Sequence, residues 1–466
     1  MSVFDPPAER RDALRTDLYQ LTMIAAMHEA GLDHQASFEL FTRRLAPARG
    51  YWVACGLELA LDYLEGLAFS GQQIDWLRRH PAFASVPADL FAWLRDFRFQ
   101  GEVWAVPEGT PVFPWEPLLR VTGPAAEAQL VETWLLSLIN FQTLIASKAA
   151  RVASACRGKK FVDFGTRRAH GPEAAELVAR ATYVGGAWGT SNVEAAFRLG
   201  IPCTGTFAHA WVMQWDDEAE AFRRYAQVFP RATTLLIDTY DTVAAARRIV
   251  AEELPCQAVR LDSGDLTALS IAVREVLDQG GRGEVKIVAS GDLDELKIDA
   301  MERAGGRVDT YGVGTELATS RDHPALGGVY KLVETRRGDE VRHPVKLAAD
   351  KASWPGLKQV WRREEAGQAT GDVLALADEP GPAGARPLLE RVMQGGRRTR
   401  PPVSLDAARE RCAAEVARLP QGVRALVEPA PYRVERSAGL EALAARAREL
   451  ARARVESTTR VGPAGA

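Results

Sequence analysis

Residues 258–291, AVRLDSGDLTALSIAVREVLDQGGRGEVKIVASG, contain the pattern that decides the fold. A short apolar run, Ala258–Leu261, ends at Asp-Ser-Gly, and a second run, Lys286–Ala289, ends at Ser-Gly. Between the two runs, apolar residues recur at helical spacing over Leu266–Gln279. A strand, an amphipathic helix and a second strand in this order predict a parallel sheet that helices cover on both faces.

The same alternation recurs from residue 161 to residue 333. Short apolar runs, each ending at glycine or a small polar residue, begin at Phe161, Tyr183, Ile201, Leu235, Ala258, Lys286, Thr310 and Val329. Helical patterns, such as those over 243–253 and Leu266–Gln279, separate most of these runs. Because an eight-stranded α/β barrel typically needs roughly 250 residues, we predict an irregular, compact (β/α) barrel of about eight strands.

The chain around this barrel follows other patterns. Helical spacing dominates residues 1–100, and prolines interrupt short apolar runs over 101–121, which is typical of β-structure with edge strands. We therefore predict an α/β protein with a second α+β domain, formed by the N-terminal segment and the chain after the barrel. The expected domains are an N-terminal α+β domain (1–125), the barrel with the active site (126–345), a C-terminal segment packing with the N-terminal domain (346–435) and a helical tail (436–466).

The composition argues against several classes of protein. The 58 basic and 61 acidic side chains nearly cancel, so the chain lacks the positive charge of a dedicated nucleic-acid binder. The five cysteines are scattered and form no CxxC pair, which argues against zinc ribbons and redox dithiols. The N-terminus has no apolar signal segment, and no run approaches the roughly 18 apolar residues of a membrane span. We expect a cytoplasmic protein with reduced thiols and no membrane partner.

Polar residues cluster at the carboxyl ends of the predicted strands. In a parallel α/β barrel these ends face one opening, and ligands bind there. The residues at these ends are Asp163, Phe164, Arg167, Arg168, Ser191, Thr206, His209, Asp238, Asp241, Arg260, Asp262, Asp265, Ser290, Gly291, Asp292, Gly314 and Thr315. Cations, carboxylates, hydroxyls and exposed amides together suit a phosphorylated, hydroxyl-rich substrate.

Two glycine loops and one charged pair give the clearest chemical signals. Backbone amides at 290–292 and 312–315 lie near predicted helix starts, where phosphate is commonly held, although a tight turn alone also requires glycine. Arg260 and Asp262 share one face of a strand, because side chains alternate with period two. Such a pair would clamp a phosphate or acid and accept from sugar hydroxyls; a structural ion pair is the alternative.

Two further groups leave their role open. Arg167 and Arg168 follow Asp-Phe-Gly directly. Guanidinium forks match carboxylate geometry, but adjacent arginines are also commonly a solvated basic pair. His209 lies beside a strand-end Gly-Thr, yet a lone histidine is more often a packed or capping residue than a catalytic one.

An ordered series of segments covers about residues 16–350. The segments are Thr16-Asp-Leu-Tyr-Gln-Leu-Thr-Met, Asp163-Phe-Gly-Thr-Arg-Arg-Ala, Gly189-Thr-Ser-Asn, Gly205-Thr-Phe-Ala-His, Leu236-Ile-Asp-Thr-Tyr-Asp-Thr, Val259-Arg-Leu-Asp-Ser-Gly-Asp, Tyr311-Gly-Val-Gly-Thr and Pro324-Ala-Leu-Gly-Gly-Val-Tyr-Lys-Leu-Val. In this order they resemble the nicotinate phosphoribosyltransferases, members of the type II phosphoribosyltransferases. The resemblance does not cover the chain beyond about residue 380.

The resemblance implies an ATP-coupled ligase of salvage NAD synthesis, which joins nicotinate to 5-phosphoribosyl 1-pyrophosphate. Its products would be nicotinate mononucleotide, pyrophosphate, ADP and phosphate. The phosphorylated histidine of the family corresponds to His209, and Ala210 stands where many members are expected to have serine. The resemblance implies Mg²⁺ as cofactor, neutralising the diphosphate, and ATP as co-substrate; no protein metal ligands are predicted.

The resemblance also implies a homodimer with shared active sites. The pyridine ring would stack between Phe164 and Tyr19 of the partner subunit, and Arg167 would hold its carboxylate. Asp262 would act beside His209 in catalysis, near the ribose hydroxyls. The other substrate-binding positions that we expect are Ser191, Thr206, Arg260, Ser290, Gly291, Gly314 and Thr315.

Ser191 bears on the choice of substrate. The related nicotinamide-using enzyme has an aspartate there, which accepts from an amide and repels a carboxylate, so serine favours nicotinate. The alternatives are a nicotinamide- or quinolinate-using type II phosphoribosyltransferase, or a catalytically inactive nucleotide-binding relative. A Schiff-base aldolase is disfavoured, because Lys331 is the only strand-end lysine.

Overall fold

The computed structural model describes residues 13–347 and 353–460, without the side chains of 457–460. The chain divides into two compact units. We call Leu144–Pro324 the central unit and the remainder, Met1–Thr143 with Ala325–Ala466, the flanking unit. No helix among the described residues is long and apolar enough to cross a membrane.

The elements before the central sheet are mostly helical, as the spacing predicts. They are α1 (Leu18–Glu29), β1 (Gln35–Thr42), β2 (Trp52–Val53), α2 (Leu57–Gly66), α3 (Gly71–Arg79), α4 (Ala88–Asp96), β3 (Glu102–Ala105), β4 (Pro111–Val112), β5 (Pro117–Pro124), α5 (Ala125–Leu130) and α6 (Glu132–Ala155). The proline-rich stretch 101–121 forms β3, β4 and part of β5, so its prediction as β-structure is confirmed.

Strands and helices alternate through the central unit. They are β6 (Lys160–Asp163), α7 (Pro172–Val184), β7 (Gly189–Thr190), α8 (Val193–Leu199), α9 (His209–Val212), α10 (Glu218–Val228), β8 (Thr234–Leu236), α11 (Thr242–Ala251), β9 (Ala258–Leu261), α12 (Leu266–Gln279), β10 (Lys286–Ala289), α13 (Glu295–Arg303), β11 (Thr310–Val313) and α14 (Thr315–Ala318). The strand–helix–strand pattern of 258–291 is confirmed as β9, α12 and β10.

The chain after the central unit returns to β-structure and ends in two longer helices. Its elements are β12 (Gly328–Arg337), β13 (Glu340–Arg342), β14 (Lys358–Glu365), β15 (Gln368–Leu376), β16 (Arg386–Pro387), β17 (Glu390–Gln394), β18 (Arg397–Arg398), α15 (Leu405–Arg418), β19 (Val434–Arg436) and α16 (Ala438–Arg460). Within the expected tail 436–466, residues 461–466 lie outside the described residues.

The central sheet is parallel and has six strands, in the order β7-β6-β11-β10-β9-β8. Its core is apolar: Leu235, Val259 and Ile287 are fully buried and belong to one cluster with Val273 and Leu277 of α12. Burying each such side chain stabilises the fold by about 1.5–3 kcal/mol. Because the six strands are parallel, their carboxyl ends meet at one edge of the sheet. The sequence concentrates polar residues at these ends.

The predicted barrel of about eight strands is not confirmed: among the described residues the central sheet has six strands. The run at Tyr183 is the buried end of α7, since a short apolar run alone does not distinguish a helix from a strand. The run at Ile201 forms only an isolated bridge, between Cys203 and Thr190, and Pro202 beside it has no N–H to donate to a ladder. Val329 belongs to β12, which pairs antiparallel with β1 in the flanking unit.

The flanking unit combines strands from both ends of the chain. Its largest sheet has the order β13-β12-β1-β5-β3-β17-β18, and every pairing in it is antiparallel. A four-stranded sheet, β16-β14-β15-β19, follows. The buried side chains of Lys358 and Glu39 form an ion pair of 2.7 Å, which links β14 to β1.

Candidate active site

A cavity of about 490 Å³ opens at the carboxyl ends of the central strands. Its lining residues include two phenylalanines, arginines, aspartates, hydroxyl-bearing residues and glycines. The lining residues are Phe164, Thr166, Arg167, Arg168, Ser191, Gly205, Thr206, Phe207, Ala208, Arg260, Asp262, Ser290, Gly291, Asp292, Gly312, Gly314 and Thr315. Of the catalytic and substrate-binding residues that the sequence predicts in the central unit, all but His209 line this cavity, and His209 follows the lining residue Ala208. Four other strand-end residues of the predicted set do not line it: Asp163, Asp238, Asp241 and Asp265.

Arg260 and Asp262 form the charged pair at the end of β9. Arg260 Nη2 lies 3.3 Å from Asp262 Oδ1, and both side chains are partly exposed to the cavity. Arg260 Nη1 donates to the hydroxyl of Thr206, and the hydroxyl of Ser290 donates to Asp262 Oδ1. Arg260 and Asp262 therefore form an ion pair and also present a cation and an anion to one cavity. The structural and the ligand-binding interpretations of the pair are compatible.

His209 begins α9 and is held by a buried carboxylate. Its Nε2 lies 3.0 Å from Oδ1 of Asp238, whose side chain is 1% exposed against 36% for the histidine. A carboxylate only accepts, so Nε2 is the donor in this contact, and in the neutral ring the lone pair is on Nδ1. Asp238 Oδ2 accepts from the backbone N–H of Asp262 at 3.0 Å and from the Ser263 hydroxyl at 2.6 Å. The histidine is thus joined to the strand end that carries the charged pair.

The loop after β10 turns back sharply against β9. Gly291 has φ +103° and Asp292 has φ +46°. A β-carbon at Gly291 would lie only 2.1 Å from the carbonyl oxygen of Asp262, so this position requires glycine. The turn brings Ser290, Gly291 and Asp292 to the cavity wall.

The loop after β6 supplies the aromatic wall. The Phe164 ring packs on β11 at Gly312, where a β-carbon would lie 2.4 Å from Cδ2 of the ring. A single 3₁₀ turn, Thr166–Arg168, follows, and both of its arginines are exposed and line the cavity. Both arginines can therefore offer guanidinium donors to a carboxylate bound in the cavity.

Asp163 lies beneath this loop at the end of β6. Its side chain is fully buried, and burial raises its pKa to about 6, against hydrogen bonds from Thr190 and Gly165 that lower it. Oδ1 accepts from the Gly165 N–H at 2.8 Å and Oδ2 accepts from the Thr190 hydroxyl at 2.7 Å. The carboxylate therefore connects two neighbouring strand ends from below the cavity.

Two strand-end acids act as helix caps. Asp241 Oδ1 accepts from the N–H of Ala244 at 2.8 Å and begins α11, and Asp265 Oδ1 accepts from the N–H of Ala268 at 3.0 Å and begins α12. Each cap contributes about 1 kcal/mol. Neither lines the cavity, so both are corrections to the predicted ligand-facing set. The contact of Asp238 with His209, by contrast, was not predicted from the sequence. Its position after the run Leu235–Ile237 marked Asp238 only as a strand-end residue.

Tyr19 lies on α1 of the flanking unit and is half-exposed, so its part in substrate binding stays a prediction.

Across residues 13–347 and 353–460, no cluster of three or more His, Cys, Asp or Glu residues could hold a metal ion. Asp262 and Asp292 are carboxylates of the cavity wall, and Mg²⁺ commonly binds one or two carboxylates together with substrate phosphates.

Family models match most of the chain. The N-terminal domain of nicotinate phosphoribosyltransferase matches residues 14–140, the nicotinate phosphoribosyltransferase family matches 159–336, and the C-terminal domain matches 382–444. The last of these covers part of the chain for which the sequence motifs gave no resemblance.

Curated relatives and solved structures agree with these matches. Nicotinate phosphoribosyltransferase pncB2 of Mycobacterium tuberculosis is 43% identical over 421 residues, 89% of each chain. That of Bacillus subtilis is 41% identical over 379 residues, 79% of this chain and 76% of its own. The crystal structure of human nicotinic acid phosphoribosyltransferase has a TM-score of 0.81 and 29% identity, covering 92% of this chain and 99% of its own. Nicotinate-nucleotide pyrophosphorylase from Pyrococcus furiosus has a TM-score of 0.70 and 25% identity, covering 87% and 95%.

Proposed function

Since the chain belongs to the nicotinate phosphoribosyltransferase family, we propose that it joins nicotinate to 5-phosphoribosyl 1-pyrophosphate, coupled to ATP hydrolysis. The pyridine nitrogen attacks the anomeric carbon, the bond from that carbon to pyrophosphate breaks, and nicotinate mononucleotide forms. The observation that carries this proposal is that one cavity combines an aromatic wall, the exposed arginines Arg167 and Arg168 and the Arg260–Asp262 pair. Salvage NAD synthesis is the setting that this reaction implies.

The loop after β6 is the proposed site of the pyridine ring. Phe164 offers a flat face, and Arg167 offers a planar fork of N–H donors that matches a carboxylate. Ser191 lines the same cavity and has no negative charge that would repel the substrate carboxylate. These three side chains support nicotinate as the base in preference to nicotinamide.

The wall formed by the carboxyl ends of β9, β10 and β11 is the proposed site of the phosphoribosyl group. Departure of pyrophosphate leaves positive charge on the anomeric carbon, which Asp262 is placed to stabilise near the ribose hydroxyls. Arg260, the loop 290–292 and Thr315 with Gly314 would hold the anionic groups of the sugar. Thr206 and Ser290 fix the charged pair through the hydrogen bonds described above. Holding both reactants in one cavity turns an encounter of two molecules into a reaction within one complex.

Magnesium fits this wall. Asp262 and Asp292 are the carboxylates that would hold it, together with oxygens of the substrate diphosphate. When bound, Mg²⁺ supplies positive charge that neutralises the leaving pyrophosphate.

His209 is the proposed phosphoryl acceptor. Its Nδ1, which carries the lone pair, attacks the γ-phosphorus of ATP; the bond to the β-phosphate oxygen breaks and ADP leaves. Asp238 holds Nε2–H and stabilises the positive charge that develops on the ring. Water later cleaves the phosphorus–nitrogen bond and releases phosphate. Ala210 has no hydroxyl, so no hydrogen bond from that side chain takes part.

The active form is proposed to be a homodimer with shared sites. Tyr19 of the partner subunit would cover the face of the pyridine ring opposite Phe164. The half-exposed ring of Tyr19 on α1 supports this role, because it is available to another surface.

The test is turnover by purified protein with nicotinate, nicotinamide or quinolinate, each with and without ATP. We expect nicotinate mononucleotide and pyrophosphate from nicotinate, and more product when ATP is present. Acid-labile label from γ-labelled ATP should appear on wild type and be lost in His209→Ala. Carbon dioxide release from quinolinate without ATP would favour the quinolinate-using alternative, and substrate binding without pyrophosphate release would favour an inactive relative.

A further inference from the structure

Asp163 connects the two loops that carry the proposed pyridine-facing side chains. The first loop, which follows β6, carries Phe164 and Arg167; the second, which follows β7, carries Ser191. The carboxylate of Asp163 does not line the cavity; it is fully buried beneath both loops. Its position is set by pairing of β6 with β7, in which Asp163 lies opposite Thr190.

Three hydrogen bonds fix the second loop to Asp163 and its partner. The Thr190 hydroxyl donates to Asp163 Oδ2 at 2.7 Å and accepts from the N–H of Asn192 at 3.0 Å. The N–H of Ser191 donates to the backbone carbonyl of Asp163 at 2.9 Å. Asn192 then caps α8 by accepting from the N–H of Ala195 at 2.9 Å. The backbone of Ser191 is therefore held on both sides through the Thr190 hydroxyl and the Asp163 peptide.

The first loop depends on the same carboxylate. The Gly165 N–H donates to Asp163 Oδ1 at 2.8 Å, directly before the 3₁₀ turn that carries Arg167. Gly165 packs closely on α14, because a β-carbon there would lie 2.4 Å from the β-carbon of Ala318. Loss of the Asp163 carboxylate would remove the hydrogen bond that holds the start of this turn.

A buried carboxylate is a costly way to fasten two strand ends. Burial raises the pKa of Asp163 to about 6, so at neutral pH the fold keeps a desolvated charge whose described partners are a hydroxyl and an amide. An uncharged side chain of the same shape would avoid that penalty. The two oxygens, however, accept from both loops at once, which an amide side chain cannot do because one of its two positions is a donor.

We propose that Asp163 is a positioning residue that sets the distance between the Phe164–Arg167 loop and Ser191, and so determines the affinity for the pyridine carboxylate substrate. The proposal rests on the proposed function. It concerns only the pyridine end of the cavity. The charged pair on β9 and His209 on α9 have no hydrogen bond to Asp163 among the described residues, so sugar binding and phosphoryl transfer should be independent of it.

The test compares Asp163→Asn, Thr190→Val and Thr190→Ser with wild type. Asn keeps the shape but places a donor against Gly165 N–H or the Thr190 hydroxyl. Val keeps the shape of Thr190 without its hydroxyl, and Ser keeps the hydroxyl. We expect the nicotinate KM to rise about tenfold or more in Asp163→Asn and Thr190→Val, as for a lost hydrogen bond to a charged group. Thr190→Ser should stay close to wild type.

Two further readouts separate positioning from general damage. The KM for 5-phosphoribosyl 1-pyrophosphate and the acid-labile phosphorylation of His209 should stay within about twofold of wild type in all three variants. An unchanged nicotinate KM in Asp163→Asn and Thr190→Val overturns the proposal, as does a parallel rise of every KM. If Asp163→Asn does not fold, the Thr190→Val and Thr190→Ser pair decides alone. Failure of wild type to make nicotinate mononucleotide refutes the proposed function instead, and is seen before any variant is compared.

Discussion

His209 and Asp238 lie 3.0 Å apart, from Nε2 to Oδ1, and the same aspartate accepts from the backbone N–H of Asp262 through its other oxygen. One buried carboxylate therefore connects the proposed phosphoryl acceptor to the strand end that holds the proposed sugar clamp. Phosphorylation of His209, as proposed above, would act on the end of β9 through this one side chain.

Asp238→Asn should slow phosphorylation of His209. The amide keeps the shape but loses the charge that stabilises the ring as Nδ1 attacks phosphorus, so we expect a fall in initial rate of roughly 10²-fold. The measurement is acid-labile label from γ-labelled ATP, with His209→Ala as the baseline. Asp241→Asn is the matched control, because Asp241 caps α11 and does not line the cavity. Phosphorylation of Asp238→Asn at the wild-type rate would contradict the role given to the pair.

Arg167→Gln should weaken nicotinate binding. Removal of the guanidinium leaves the substrate carboxylate without its bidentate partner, and we expect the nicotinate KM to rise roughly 10- to 100-fold. The KM for 5-phosphoribosyl 1-pyrophosphate should change little. Arg168→Gln is the control, since Arg168 is the adjacent exposed arginine of the same turn. A larger effect in Arg168→Gln than in Arg167→Gln would transfer the carboxylate-binding role to Arg168.

Gly312→Ala should push the Phe164 ring into the cavity. The new β-carbon would lie 2.4 Å from Cδ2 and Cε2 of the ring, which is too close for both to stay in place. We expect a higher nicotinate KM, measured beside Gly327→Ala, where a β-carbon meets nothing within 4 Å. Equal KM values for the two variants would show that the ring position does not matter for binding.

The thiols should differ sharply in reactivity. All five cysteines lie in the described part of the chain, and of these Cys203 alone is exposed. Burial raises the pKa of the Cys256 thiol to about 11 and that of Cys156 and Cys412 to about 12. We expect one fast equivalent with Ellman's reagent at neutral pH, absent in Cys203→Ser, and the others only after unfolding. More than one fast equivalent in the native protein would contradict the burial of the other four.

The stability contribution of Asp163 should depend on pH in a defined direction. Its pKa is raised to about 6 in the fold and is about 3.9 in an unfolded chain. A raised carboxyl pKa favours the protonated form in the fold, so the contribution is fully present below about pH 4 and is lost as pH rises through 6. We expect the unfolding free energy of wild type minus that of Asp163→Asn to fall by up to about 3 kcal/mol between pH 4 and pH 7. Urea unfolding at several pH values measures this, and a constant difference would refute it.

Local patterns predicted the elements whose signals are local. The spacing of apolar residues predicted α12 at Leu266–Gln279 with its observed bounds, and the strand ends at Leu261 and Ala289 placed Asp262 and Ser290 at the cavity. The prediction of a strand at Tyr183 was wrong because the end of α7 is buried, so it lacks the exposed polar face that marks a helix in sequence. The run at Val329 failed because its partner is β1, nearly 300 residues earlier, and no local pattern reports that pairing.

For the site, too, local patterns were predicted correctly and long-range contacts were not. Alternation along β9 predicted that Arg260 and Asp262 share a face, and they do. Distinguishing Asp238 from Asp241 required coordinates, because two acids three residues apart after one strand have different partners: His209 for the first and the start of α11 for the second. The fit of Phe164 on Gly312 likewise joins β6 to β11 and has no signature in either segment.

The most direct test of the account is substrate choice by purified wild type and by Ser191→Asp. The kcat/KM for nicotinate and for nicotinamide is measured with 5-phosphoribosyl 1-pyrophosphate, ATP and Mg²⁺ present. We expect nicotinate to be strongly preferred by wild type, and the preference to fall about tenfold or more in Ser191→Asp, where a carboxylate faces the substrate acid. A higher kcat/KM for nicotinamide than for nicotinate in wild type would contradict the proposed function.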